Sequence, residues 1–548
     1  MTVLDDIGRP VRARDIARIR ARAALDSGSS QGWAYDAQAV NSQDMGEWQP
    51  QIRSPDSSIN YERDRMVARI RDLVNNDGWA GGAINRLLDA AIGSSFLPVP
   101  QPNFSVLSRM CPAMDAHFAA EFGAAVSSEW RMYALDDIGK YNDATRTQTV
   151  TQQFRLAMRD KIVTGDGLGM ALWMPERPGR YATALQIVDP DRMSNRNMAV
   201  DTATSRGGVL IDGGGAPVGY AIRRAYPYDW YSSTESWIWD DYAKETPWGR
   251  PIVIHDFDKE RGNQHRGVGI LTSVLPRFKM LHKFDQAALQ SAVLRALVGF
   301  FLKSPYDSQQ IRDAMEAGDN ENPEQSWYQE LRGAYHDINP VTMGGIRMPT
   351  LAPGESIEQV RAGDQAVEFE TFEAAFLGCI SSATGQSRQE VSGDYRRVNY
   401  SSDRSASLSA WRTLLRRRLD FAAGFASPFY GAWLEEALES PYLRGLLPRN
   451  APLFQEHRAA YTHCQWIGPG KGWVDPVKER QGEVLGLDAG FGTLSQVCAE
   501  VSGAYWREVL EQRAVEEAEM KRLNLTKPDW AGGNMAPANQ IAERPRPQ

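Results

Sequence analysis

Four short apolar runs between residues 168 and 224 restrict the fold more than any other feature of the chain. LGMALWM and YATALQIV are joined by PERPGR, and GVLI and VGYAIRR are joined by DGGGAP. Each pair sets two strand-length segments across a loop of turn-forming residues, which predicts two β-hairpins. PIVIHDF at 251–257 adds a further strand. The sequence on both sides is helical, so the fold class expected is α+β.

The helical stretches follow from their apolar period. Met66, Ile70, Leu73 and Val74 share one face, NNDGWAGG breaks the run, and Ile84, Leu87, Leu88 and Ile92 begin another, which predicts a helical hairpin. A third helix is expected within 115–135. From Leu271 through Leu275, Phe278, Leu281, Leu289, Val293 and Leu297 one face stays apolar to about residue 302, a helix of roughly 45 Å at about 1.5 Å per residue. Val367, Phe369, Phe372, Phe376, Cys379 and Ile380 mark a second long helix, and the stretch 304–363 between the two is an insert. Leu408, Trp411, Leu415 and Leu419 predict the inner face of a third. Residues 430–523 read as helices with polar turns, while 1–60 and 526–548 carry no core pattern and are expected to be a partly mobile arm and a disordered Pro-rich tail.

With 548 residues, 42% of them hydrophobic, the chain can build a large core divided into several parts. Its 61 basic and 69 acidic residues give a net charge of -8, which argues against a protein that wraps DNA by neutralising phosphates. Cys111, Cys379, Cys464 and Cys498 lie far apart with no CxxC, so neither a disulfide framework nor a zinc knuckle is expected, and a reducing cytoplasm is the simplest setting. The start of the chain has arginines at 9, 12, 14, 18, 20 and 22 but no apolar core of signal-peptide length. The longest apolar run, 287–302, is interrupted by Gln290, Ser291 and Arg295 and is too short for a bilayer-spanning helix of about 20 residues.

Catalytic signatures are weak. TGDGLGMALW runs from helix into strand, the reverse of the order a dinucleotide fingerprint needs, so its glycines read as a turn. IGPGKGW at 467–473 lacks the spacing and the Ser or Thr of a phosphate loop. The seven histidines form neither HExxH nor HxH, and no GxSxG is present. DFDKERGNQH at 256–265 gathers acids and a histidine but reads more simply as a solvated loop. No cofactor, metal or catalytic residue is therefore expected.

Gln386–Arg418 differs from its surroundings. It holds eight arginines (388, 396, 397, 404, 412, 416, 417 and 418) against Glu390, Asp394 and Asp403, a net of +5 in an acidic chain. Arginines here are suited to phosphate contact; equally, those at 412, 416 and 417 fit the outer face of a helix, in solvent or in interface ion pairs.

Four segments of the chain resemble the lambda-like branch of tailed-bacteriophage portal proteins, in family order across about 61–525. They are ARIRDLVNNDGWAGGAINRLLDAAIGS at 68–94, HDFDKERGNQHRGVGILTSVL at 255–275, TGQSRQEVSGDYRRVNYSSDRSA at 384–406 and GWVDPVKERQGEVLGLDAGFGTLSQV at 472–497. The third, with its GDY and VNYSS, and the VDPVKE of the fourth are the most specific. Arg396 and Arg397 depart from the pattern, standing where many relatives have smaller or uncharged residues.

The resemblance implies a ring, usually of twelve identical subunits, at one capsid vertex, with a channel through which double-stranded DNA enters and leaves. It implies no enzyme, and a portal fold of wing, stem, clip and crown. The corresponding division is an arm at 1–60, wing at 61–268, a long helix into the stem at 269–303, a clip-like insert at 304–363, a second stem helix at 364–385, a tunnel loop at 386–402, a long wing helix at 403–440, a helical crown region at 441–525 and the tail at 526–548. Arg388, Arg396, Arg397, Asn399, Tyr400 and Arg404 would then be candidate DNA contacts, without sequence preference, with Asp394, Tyr395 and Asp403 shaping the loop or pairing with a neighbouring subunit. Implied partners are the terminase, a head-completion or tail adaptor protein and the major capsid or scaffold protein, with no membrane; the implied location is the virion, after assembly in the bacterial host cytoplasm. A DNA-associated hydrolase or nuclease of similar architecture is the alternative, and a DNA-binding adaptor using the arginine arm is a third reading.

Overall fold

The computed structural model describes residues 14, 18, 50–226, 228–229, 234–297, 301–303, 341–343, 346–348, 356–358, 365–395, 400–471, 476–501 and 505–525. Most of the expected arm, most of the insert, residues 396–399 and the tail lie outside them. The chain divides into two units, Met1–Ser54 and Pro55–Gln548.

The second unit starts with a helical turn, α1 (Pro55–Ile59), inside the stretch expected to be an arm, with Pro55 and Asp56 buried. The helical hairpin follows as α2 (Arg63–Asn76) and α3 (Gly78–Ala91). Asp77 separates them because its carboxylate accepts the backbone N–H groups of Trp79 and Ala80, at 2.9 Å each, and so caps α3. Strand β1 (Leu97–Pro100), α4 (Phe104–Met110) and α5 (Ala116–Ala134) come next. Helix α6 (Val150–Thr164) opens with a capping box between Thr149 and Gln152.

Two antiparallel sheets occupy the middle of the chain. The first has the order β3-β2-β8, built from β2 (Asp166–Trp173), β3 (Thr183–Ile187) and β8 (Val253–Phe257). Its β2–β3 pairing sets Ala171 opposite Leu185, the first expected hairpin. The second runs in chain order through β4 (Ser205–Arg206), β5 (Val209–Ile211), β6 (Pro217–Arg223) and β7 (Trp239–Ala243), and β5–β6 is the second hairpin. Leu168, Met170 and Val253 of the first sheet pack with Val209, Tyr220 and Ile222 of the second in a small core of their own.

Helix α7 (Leu275–Leu297) has 23 residues, roughly 35 Å at about 1.5 Å per residue, and is shorter than its apolar period suggested. Phe301 and Leu302 continue that period in sequence, yet they belong to strand β9 (Phe301–Lys303). An apolar pair fits either element until its partner is known. The partner is β12 (Ser356–Glu358), antiparallel to β9 at the foot of the insert, and β10 (Val341–Met343) pairs with β11 (Ile346–Met348) within it. Helix α8 (Gln365–Thr384) leads out of the insert.

After the short α9 (Arg388–Ser392), α10 (Tyr400–Phe421) continues through a π-helical turn at Ala422–Ala426 into α11 (Ser427–Glu439). Pro428 has no N–H to give the carbonyl of Gly424 four residues back, and the helix widens there without breaking. The stretch expected to be helices with polar turns then contains, after α12 (Arg458–Tyr461), a strand, β13 (Cys464–Ile467), antiparallel to β1. Four residues are too few to show a period, and the partner lies about 360 residues upstream. Helices α13 (Pro476–Asp488), α14 (Leu494–Val501) and α15 (Trp506–Arg522) complete the described chain.

The main core is aromatic. Trp130 of α5 stands edge-on to Trp433 of α11 at 4.9 Å between centroids, and Phe96 stacks on Trp466 of β13 at 4.9 Å. Phe421 and Phe425 stack across the π turn at 5.4 Å, with Phe154 of α6 edge-on to Phe425 at 6.1 Å. Such pairs add about 0.5–1.5 kcal/mol each beyond their buried area. Among the described residues no helix is long and apolar enough to cross a membrane, and no cluster of three His, Cys, Asp or Glu side chains could hold a metal ion. None of the four cysteines is in a disulfide.

Candidate functional site

The arginine-rich stretch begins where α8 stops. Gly385 ends that helix with φ +70°, and a Cβ there would stand 2.7 Å from Thr413 Cγ2, so the turn requires glycine. Ser387 and Glu390 form a capping box for α9: the Glu390 N–H donates to Ser387 Oγ at 3.2 Å, and the Ser387 N–H donates to the Glu390 carboxylate at 2.8 Å. After the five residues of α9, Gly393 closes it with φ +68°. The S-x-x-E spacing announces this helix in the sequence, although the stretch was expected to be loop. Val391 is its buried anchor.

Three arginines cap the helix ends that meet here. Arg86 of α3 donates from Nη1 to the Val391 carbonyl at 2.7 Å and also to the Glu390 carbonyl, at the end of α9. Arg417 donates to the Thr384 carbonyl, the last residue of α8. Arg418 donates from Nε to the Ala91 carbonyl at 2.9 Å, and from Nη2 to Ala90 at 2.7 Å and Pro469 at 2.8 Å, closing α3. Terminal carbonyls have no partner within their helix and carry the negative end of its dipole, so a cation is favoured there. Burial lowers the Arg418 guanidinium to about 10, which leaves it charged at neutral pH. Burial, and next the charge of Arg416, lower Arg417. Between α3, α9 and α10 lies a cleft of about 590 Å³ bordered by Arg86, Glu390, Tyr395, Trp411, Arg417 and Lys471.

This arrangement changes the account of α10. Arg417 does not share an outer face with Arg412 and Arg416; it turns inward to Thr384, while Arg412 and Arg416 are exposed and Arg416 pairs with Asp420 at 2.7 Å. Trp411 and Leu414 face the cleft, whereas Leu408 is 37% and Leu419 58% exposed, contrary to the inner face expected. Guanidinium groups occupy inner positions because carbonyl ends converge there. Arg388 is exposed on α9, and Asp394 and Tyr395 are exposed beyond it. Tyr400, Asp403 and Arg404 lie in the first turns of α10. Arg396, Arg397 and Asn399 are outside the described residues.

A second polar constellation was not foreseen. Fully buried Asp166 accepts from Arg63 Nη2 and Arg266 Nε at 2.8 Å each, from the Gly267 N–H at 2.7 Å, and lies 3.1 Å from His255 Nε2. Burial alone would raise this carboxyl, but Arg266, Arg63 and the His255 hydrogen bond together hold it well below the usual carboxylate range. Burial lowers His255. Arg266 also donates to the carbonyls of Met193 at 2.7 Å and Pro190 at 3.1 Å. His265 meets Asp56 at 2.8 Å. The segment expected to be a solvated loop therefore ends with Gln264 and His265 buried, beside buried Arg266, and it fixes the approach to α7 against β2 and α2. Partners about 100 residues apart leave no local signal.

A family model described as phage portal protein, lambda family, matches residues 41–418. The portal protein of Escherichia phage N15 is 31% identical over 488 residues, spanning 88% of this chain and 89% of that protein. Portal protein B of Escherichia phage lambda is 31% identical over 489 residues, with the same coverage of 88% and 89%. Among solved structures, a chain from the neck of an empty gene transfer agent particle is 15% identical, with a TM-score of 0.44, covering 85% of this chain and 98% of that one.

Proposed function

The chain belongs to the lambda family of phage portal proteins, and from that premise we propose that it assembles as the ring at the capsid vertex through which phage DNA is packaged and ejected. The carrying observation is the reach of the relationship, 88% of this chain and 89% of each of two portal proteins. In this reading α7, the insert and α8 form stem and clip, the elements before them and α10–α11 form the wing, and α13–α15 form the crown. Twelve subunits enclose the channel. The role is structural, with packaging driven by the terminase docking on the clip and replaced later by head-completion or tail adaptor proteins, while capsid or scaffold protein surrounds the ring. Assembly takes place in the host cytoplasm and the product resides in the virion.

The segment 386–402 is the tunnel loop of this reading. Arg388, Arg396, Arg397 and Arg404 offer cations to phosphates, Asn399 and Tyr400 offer hydrogen bonds, and Asp394, Tyr395 and Asp403 shape the loop or pair with a neighbour. The inward commitment of Arg417 and Arg418 supports a light grip, because it removes two cations from what DNA could meet. An acidic chain with few free basic contacts lets DNA slide, whereas many phosphate contacts would hold it.

The test begins with mass. Twelve copies of 61.1 kDa form a particle of about 730 kDa with a central hole in negative stain. In packaging reactions Arg396→Gln combined with Arg397→Gln changes packaging rate or DNA retention if the loop touches DNA. Unchanged values for both would remove the loop from the DNA path and favour pairing of these arginines with carboxylates of a neighbour.

A further inference from the structure

The segment between α8 and α10 is built as a short lever. Helix α9 lies between two glycines in the left-handed region, Gly385 at +70° and Gly393 at +68°, and its own capping box keeps it rigid. Its two ends are held by arginines from different helices. Arg417 of α10 fixes Thr384 just before it, and Arg86 of α3 fixes Glu390 and Val391 at its far end. Beneath runs the 590 Å³ cleft, so packing does not fill the space under the lever. The hydrogen bonds of Arg86 and the buried Val391 side chain hold the far end of α9.

We propose that Arg86 is a positioning residue for this segment: it latches α9 to α3 and thereby sets where the far end of α9, with Asp394 and Tyr395 after it, stands. The inference rests on the reading of the loop as a DNA contact only for its consequence in packaging. The latch itself is a matter of geometry. Arg86 is exposed, belongs to the helical hairpin, and reaches a chain segment 304 residues away through backbone carbonyls. A carbonyl latch does not depend on which side chains α9 carries, so the loop can vary in sequence and keep its place. It also ties the loop to α3, so a shift of α3 moves the loop with it.

The experiment uses the assembled full-length protein and trypsin, for which exposed Arg388 supplies a cleavage site at the start of α9. Arg86→Ala is compared with Arg86→Lys, which keeps a donor, and with Arg69→Ala, an exposed arginine of α2, as control. Expected is unchanged ring mass and cleavage after Arg388 roughly five- to tenfold faster in Arg86→Ala, with Arg86→Lys between it and the wild type and the control unchanged. Equal cleavage in all four proteins overturns the proposal. Loss of rings in both Arg86 variants also overturns it, because the side chain then serves assembly and not the loop. Faster cleavage with unchanged DNA retention upholds the latch and rejects the DNA reading of the loop, so the two fail separately.

Discussion

Asp166 and Arg266 meet at 2.8 Å with neither side chain more than 2% exposed, and Arg63 reaches the same carboxylate oxygen from α2. Replacing Asp166 by Asn would leave Arg266 buried without this counter-charge and Arg63 with only the longer pairs to Asp191 at 3.8 Å and Asp64 at 3.9 Å. Removing one member of such a set costs about 3–5 kcal/mol. A large fall in the urea or thermal midpoint of Asp166→Asn is the expected result. Because the folded pKa is depressed, the carboxylate's contribution is fully present above the unfolded value near about 4 and is lost only as the pH falls through the lower folded value.

Asp160 behaves in the opposite sense. Burial, then Asp189 and Asp191, push its carboxyl up to about 7 against the pull of Arg71 and Arg159. The folded state thus holds a proton that the unfolded chain releases near about pH 4, and stability falls as the pH rises from there to about 7. Asp160→Asn should flatten that decline and raise stability at pH 8 by roughly 1–3 kcal/mol. Thermal midpoints of the two proteins from pH 5 to pH 8 decide it; parallel curves would refute the assignment.

Arg418 closes α3 with two hydrogen bonds to its last carbonyls and a third to the Pro469 carbonyl, so Arg418→Met removes the donors while keeping much of the volume. The expected loss is about 2–4 kcal/mol, with Arg418→Lys losing less because an ammonium group still donates. Denaturant titration measures both. If Met were tolerated as well as Lys, packing and not the carbonyls would account for the burial of Arg418.

Two helix glycines should respond differently to the same change. A Cβ on Gly424 would lie 2.2 Å from Asp256 Oδ1, while one on Gly431 would lie 3.5 Å from Thr462 Cγ2. Gly424→Ala is therefore expected to destabilise by about 1–3 kcal/mol through overpacking. Gly431→Ala should be neutral or stabilising by up to about 1 kcal/mol from helix propensity. Their thermal midpoints should move in opposite directions or only the first should move.

Elements that carry their own signal were legible. The α2–α3 hairpin shows a helical period on each side of NNDG, and the β2–β3 and β5–β6 hairpins show strand-length runs around turn residues. What stayed hidden depends on distant partners. The four residues of β13 mean nothing without β1, and Phe301 and Leu302 extend a helix in sequence until β12 claims them. At the candidate site the arginines of 386–418 were visible but their uses were not, and Arg86 was not singled out at all. Arg86, Arg417 and Arg418 bind backbone carbonyls, and a carbonyl leaves no mark in the residue type. Counting charge between 386 and 418 could show a basic stretch, not that two of its cations point inward.

The pairing of β1 with β13 also sets a clock. At about 5–20 residues per second, roughly 360 residues of synthesis separate the two strands, so β1 waits on the order of 20–70 s for its partner. Phe96, at the entry to β1, has no Trp466 to stack on during that time. A nascent chain that stops before Cys464 exposes both an open strand edge and an unfinished aromatic interior, the surfaces through which partly made chains stick to one another. Whether β1 ends in a finished subunit or in an aggregate is thus settled only when residues 464–467 are made.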